Sequence, residues 1–220
     1  MKKLFTILFC FFFLHLSATK YYVSSSLGSN TNNGTSQSTP WQTLSKVTSS
    51  MSLFNPGDTI SFKSGDVFPG TFTINASGNS SASLVFNSYG TGNKPLFSGT
   101  GNTIGYLIYA SNRSYVTFDG INITDPTFPP DPNRDSLARI QTGMQLDNCT
   151  NWVIKNCEMS LVGTGIFSLL GGSTTITNNT IYNLRMIVND PGGNNDYGAN
   201  SITISSSNNI ITHNTFYGAW

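Results

Sequence analysis

The sequence predicts an all-β solenoid, a stack of short strands rather than a sandwich or a helical bundle, and three observations carry that prediction. First, four segments share one plan: "YVTFDGINI" (115–123), "WVIKNCEM" (152–159), "TTITNNTI" (174–181) and "NIITHNTF" (209–216). Aligned, they put Phe118, Ile154, Ile176 and Ile211 in one column and Ile123, Met159, Ile181 and Phe216 in another. Between them runs a third column, Ile121, Cys157, Asn179 and Asn214. Second, the Ile123 column recurs after 36, 22 and 35 residues, so a period near 22 is twice lengthened by 14 and 13 residues. Third, only 10% of residues are charged, while 21 glycines and 12% aromatics suit short strands closed by tight turns. Stacked coils preserve column identity because each buries its apolar face only against the next; sandwich strands have no such reason.

The elements follow in order. Lys2 and Lys3 precede an apolar run from Leu4 to Leu16, and small residues Ser17 and Ala18 follow. This reads as a secretory signal peptide over 1–19, too short for a membrane anchor, and makes the protein exported. Cys10 lies inside the run without the small residues that precede a lipidated cysteine. Residues 20–57 read as an N-terminal strand and a capping helix. In "TPWQTLSKVTSSM", Thr39 is placed as N-cap and Pro40 as first helical residue, with Trp41, Leu44, Val47 or Thr48, and Met51 on one face. Such a helix would cover the open end of the first coil. Residues 58–220 are the coils. "DTISFKSG", "GTFTINASG", "SLVFNSYG" and "KPLFSGTG" supply the first strands, each closed by a Gly turn.

The two long steps locate excursions at 124–140 and 185–199, both rich in Pro, Gly, Asp and Asn. The Asn column predicts a ladder of side-chain hydrogen bonds from coil to coil. Cys149 and Cys157 fit either a disulfide or two buried thiols, and their spacing suits no zinc site. A net charge of +1 with no basic stripe argues against nucleic acid as partner.

"YYVSSSLGSNTNNGTSQSTPWQTLSKV", "PGDTISFKSGDVFPG" and "SYGTGNKPLFSG" together resemble the opening of secreted bacterial right-handed parallel β-helix proteins of the pectate-lyase-like superfamily. The resemblance covers about residues 20–220. It implies a right-handed parallel β-helix and a groove along one sheet where a polysaccharide lies. Superfamily members include lyases, hydrolases, epimerases, esterases and non-catalytic adhesins, so the resemblance speaks for fold more than for chemistry. Its lyases cleave uronate polymers by β-elimination: a cation, often Ca²⁺, screens the substrate carboxylate, and a Lys, Arg or His takes the adjacent proton. Its hydrolases need a carboxylic acid pair instead, and no such pair is apparent on adjacent coils.

On that expectation Lys155, Arg185 and His213 are the candidate catalytic residues. Tyr197 and Trp220 are candidate sugar platforms, and Asp190 and Asp196, with Asn194 and Asn195, are candidate Ca²⁺ ligands on a Gly-rich loop. Each also has a structural reading: Lys155 and Glu158 as solvated strand positions, His213 as a member of the polar stack, the loop as a plain turn. The second excursion candidate, with Asp131, Arg134, Asp135 and Arg139, reads as a charged lid. The chain stops at Trp220 without a closing element, so the sequence reads as the N-terminal portion of a longer uronate-polysaccharide lyase, monomeric when complete. The alternative is a glycan-binding or adhesive β-helix without catalysis.

Overall fold

The computed structural model describes residues 17–100, 105–127, 141–185 and 199–219. The leader expected over 1–19 lies outside the described residues except for its last three. Strand β1 (Lys20–Val23) and helix α1 (Leu44–Ser49) come first. The chain then winds through β2 (Thr59–Lys63), β3 (Val67–Pro69) and β4 (Phe72–Ile74), and next β5 (Leu84–Tyr89), β6 (Leu96–Ser98) and β7 (Gly105–Ser111). The third coil is β8 (Val116–Asp119), β9 (Asn122–Thr124) and β10 (Gln141–Asp147); the fourth is β11 (Val153–Lys155), β12 (Glu158–Ser160) and β13 (Thr164–Gly172). Last come β14 (Thr175–Thr177), β15 (Thr180–Tyr182) and β16 (Asn200–Ser207), then β17 (Ile210–Thr212) and β18 (Thr215–Tyr217).

From β2 onward, successive strands belong to three sheets in strict rotation, and β1 adds to the first. The first sheet runs β1-β2-β5-β8-β11-β14-β17, the second β3-β6-β9-β12-β15-β18, and the third β4-β7-β10-β13-β16. Pairing within each is parallel throughout. This is a right-handed parallel β-helix, as the sequence predicts.

The columns are real registers. Phe118, Ile154, Ile176 and Ile211 are successive partners in the first sheet, and the column continues upstream through Phe86 and Ile60. Ile123, Met159, Ile181 and Phe216 are partners in the second sheet, continued by Phe97 and Phe68. In the early coils the interior is aromatic: Phe62, Phe68, Phe72, Phe86, Phe97 and Phe118 are buried and meet mainly edge to face, Phe62 and Phe97 at 4.8 Å. That geometry sets each ring's positive edge against a neighbour's negative face.

From the fifth coil onward the corner between the first and second sheets is polar. Asn179 Oδ1 accepts from the Cys157 N–H (2.9 Å), and its Nδ2 donates to the Ile154 carbonyl (3.0 Å). Asn214 repeats both bonds one coil on, to Asn179 N–H and the Ile176 carbonyl. The position just before this ladder is left-handed in each coil: Gly120, Asn156, Asn178 and His213, with φ of 71, 53, 56 and 55°. Asn visits that region at low cost because its short side chain hydrogen-bonds locally.

The helix begins later than the sequence suggests. Thr43, not Thr39, is the N-cap, accepting from Lys46 N–H at 3.1 Å. Pro40 and Trp41 stay extended because Trp41 forms a parallel bridge with Val23 and donates its N–H to the Tyr22 carbonyl. Leu44, Val47 and Met51 are buried as expected, and α1 packs on β4, the terminal strand of the third sheet. Cys149 and Cys157 are free, buried thiols. Burial pushes both up, Cys157 to about 12.

Candidate functional site

A β-helix presents one outer face per sheet, and here the three faces differ in chemistry. On the first, Lys155 at the end of β11 lies beside its cross-strand partner Asp119, Nζ to Oδ2 3.4 Å, and Asn156 Nδ2 donates to Asp119 Oδ1 at 2.7 Å. Lys94, ahead of β6, reaches Glu158 on β12 at 2.6 Å. Tyr182 and Tyr217 stack on each other at 5.1 Å on the second sheet. These groups find their partners within the molecule.

The third sheet is different. Leu107 and Ile108 are both buried, so Tyr106 and Tyr109 both stand outside, stacked at 4.3 Å with their planes 17° apart. Across the sheet, Tyr109, Gln145, Phe167 and Thr203 form one outward row. The next row is Ser111, Asp147, Leu169 and Ser205. Gln145 Nε2 donates to both Asp147 carboxylate oxygens at 3.1 Å, which orients the carboxylate. The Tyr109 hydroxyl faces Ser111 and Asp147. Its hydrogen bond with Ser111 favours the phenolate, but partial burial and the neighbouring Asp147 carboxylate outweigh this and hold the phenol above its ordinary value.

At the end of β13 the register slips between Leu169 and Gly172, with Leu170 at φ 61°. A Cβ at Gly172 would run into the Ser207 carbonyl, and at Gly171 into that of Cys149, so only glycine permits this approach. Leu169, the last of the outward row before the slip, and Leu170 within it are 38% and 59% exposed. Arg113, just past β7, donates Nε to the Ser111 carbonyl at 3.0 Å and edges the face.

Connection lengths also single out this sheet. The excursions at 124–140 and 185–199 both carry the chain from the second sheet to the third, β9 to β10 and β15 to β16. Between them, β12 reaches β13 through residues 161–163 alone. Asp190, Asp196, Tyr197 and Trp220 lie outside the described residues, as do Asp131, Arg134, Asp135, Arg139, Asn194 and Asn195. Among the described residues no group of three or more His, Cys, Asp and Glu comes together as a metal site.

The other sequence candidates are placed as follows. Lys155 and His213 sit at the corner between the first and second sheets, two coils apart. His213 occupies the left-handed position next to the Asn ladder, exposed. Arg185 follows β15 at the corner leading to the third sheet, its N–H donating to the Val162 carbonyl at 3.0 Å. The three therefore do not form one cluster. Trp152 is core, its Nε1 bonded to the Arg113 carbonyl. Tyr109, Gln145, Asp147 and Phe167 were not singled out by sequence, because the inward–outward alternation of their strands holds only from Ile108, Met144 and Ile166 onward.

With this geometry in place, the chain can be set beside known proteins. Its fold defines it as a single-stranded right-handed parallel β-helix. No protein-family model matches it. Its sequence is 26% identical over 206 residues to a lacto-N-biosidase of Bifidobacterium longum, an alignment covering 81% of this chain and 12% of that protein. Similar solved structures include a rhamnogalacturonan lyase (TM-score 0.67, 17% identity, 90% of this chain and 51% of that one). A GH136 lacto-N-biosidase from Eubacterium ramulus aligns with TM-score 0.58 and 16% identity, over 76% of this chain and 42% of that one. An alginate lyase from Paenibacillus aligns with TM-score 0.55 and 20% identity, over 88% and 58%. The chain thus spans about half the length of these structures and a small part of the sequence relative. At these identities the structural likenesses establish the fold.

Proposed function

We propose that this chain belongs to an exported carbohydrate-active protein and that a glycan lies across the outer face of its third sheet. One observation carries the reading: a stacked tyrosine pair beside a Gln145-oriented carboxylate, on an outward face where Asp147 has no ion-pair partner among the described residues. Aromatic faces supply apolar area for the C–H side of a sugar ring, and a fixed carboxylate accepts from its hydroxyls. The names of the similar proteins, two lacto-N-biosidases and two polysaccharide lyases, support the class of ligand.

The finer reading is uronate β-elimination. It is favoured by Arg113, which stands at the border of the third sheet and would screen a substrate carboxylate. Tyr197 and Trp220 belong to that reading as sugar contacts, and Asp190 and Asp196 as ligands of a Ca²⁺ ion. Lys155 and His213, at the corner between the first and second sheets, stand away from the third-sheet face. Glycoside hydrolysis is the competing chemistry, for which Asp147 is one carboxylate in need of a second. The test is incubation of the secreted protein, with and without a chelator, with pectic, alginate and neutral glycans. An unsaturated, ultraviolet-absorbing product supports elimination; a new reducing end without it means hydrolysis. Binding without products favours the non-catalytic module, and neither binding nor products contradicts the proposal.

A further inference from the structure

We infer that the centre of the third-sheet face is a subsite for a neutral pyranose unit, held by Tyr109, Gln145, Asp147 and Phe167, and that it rejects a uronate at the same place. The inference rests on the glycan reading above and adds which sugar class that face takes.

Shape comes first. Tyr109 and Phe167 flank Gln145 in one row, two strand spacings apart, roughly 10 Å. That gap admits one sugar ring between an aromatic wall on each side, with Gln145 as floor. Beside the floor, Asp147 presents a carboxylate whose orientation is set by the two Gln145 bonds. A carboxylate only accepts, so it matches hydroxyl donors, and two adjacent ring hydroxyls satisfy both oxygens. Tyr109 and Ser111 add hydroxyls that donate or accept.

Charge decides the class. Every described lysine is engaged elsewhere: Lys20 over the Tyr22 ring, Lys46 over Trp41, Lys63 with Asp66, Lys94 with Glu158 and Lys155 with Asp119. Arg113 lies past the end of β7 and is turned to the Ser111 carbonyl. The centre of the face therefore carries the Asp147 charge without a described cation to offset it. A uronate placed there would bring two carboxylates together in a partly dehydrated site, where like charges repel most strongly. A neutral ring meets no such cost. Uronate units of a mixed polymer are left to the border of the sheet, near Arg113.

The experiment is a microarray of neutral and uronate-containing oligosaccharides probed with the full secreted chain and with Asp147→Asn and Tyr109→Phe. Titration calorimetry on the best neutral and the best anionic glycan follows, with thermal melting as a folding control. The expected result is binding to a neutral glycan that Asp147→Asn weakens at least tenfold with an unchanged melt. Tyr109→Phe should weaken it severalfold, and Asp147→Asn should improve uronate binding. Uronates bound best by the native chain, with no gain in Asp147→Asn, would overturn the neutral subsite while leaving the glycan reading intact. Silence across the array would overturn both. If Asp147→Asn fails to fold, Tyr109→Phe decides: unaltered neutral binding in that variant also sinks the inference.

Discussion

The outer faces of the first and third sheets are built by the same winding of the same chain, yet the carboxylates they carry are partnered differently. On the first, Asp119 receives both Lys155 and Asn156. On the third, a carboxylate of the same type, Asp147, receives the neutral Gln145 amide and faces the Tyr109 hydroxyl, with no cation among the described residues. Both carboxylates sit near strand ends on parallel sheets, so the fold does not create the difference. What differs is whether the neighbouring column supplies a cation or an aromatic ring. A charge neutralised across the ladder is scaffold; a charge oriented by neutral groups, with no counterion among the described residues, is the one we propose meets a ligand.

Substitutions sharpen this contrast, beginning with the core that both faces share. Asn179→Leu would strip partners from the buried Cys157 N–H and Ile154 carbonyl and break the link to Asn214. We expect a loss of about 3 kcal/mol in urea unfolding, since each orphaned buried group costs about 1–3 kcal/mol. A loss below about 1 kcal/mol would mean that the ladder is ornament to the packing. The next effect is alkaline. Cys157 is raised in the folded state to about 12, so its buried thiol contributes stability that is fully present below the unfolded thiol value and is lost as pH rises through the folded one. Cys157→Ala should flatten the fall in stability at high pH, and thiol reagents should label native Cys157 only on unfolding.

Smaller effects probe the closed face. Lys155→Ala removes a half-exposed ion pair and should cost at most about 1 kcal/mol, without changing glycan binding. A collapse of binding there would move the site to the first sheet. His213→Gly should be neutral or stabilising by a few tenths to about 1 kcal/mol, because glycine fits φ 55° better than histidine. An activity lost in His213→Gly with unchanged stability would instead restore His213 as a base.

The parts of this molecule legible in sequence are those that stack at constant distance. The first and second sheets follow one another through a corner of fixed length, so Ile154 and Met159 keep the same spacing as Ile176 and Ile181, and the Asn ladder falls between them. Third-sheet strands follow connections of unequal length, 16 residues between Thr124 and Gln141 but three between Ser160 and Thr164. Their outward column, Tyr109, Gln145 and Phe167, nevertheless recurs after 36 and 22 residues like the core columns, but it keeps no common residue type by which it could be recognised. β3 escaped for another reason: three residues ending in Pro69 look like a turn until Phe68 is seen to continue the Phe97 column. The late start of α1 was hidden because Thr39-Pro40 is a good helix start, and only the tertiary pairing of Trp41 with Val23 overrides it. The candidate face was obscured because an outward row, unlike a core column, is under no packing demand to repeat one kind of side chain.

The central claim is that the third sheet, and not the first, receives a glycan. Hydroxyl-radical footprinting of the full chain, with and without a glycan it binds, tests this most directly because both faces carry tyrosines. Protection confined to Tyr106, Tyr109 and Phe167, with Tyr22 and Tyr89 on the first-sheet side unchanged, is the predicted result. Protection of Tyr22 and Tyr89 with an unaltered Tyr106–Tyr109 pair would contradict it.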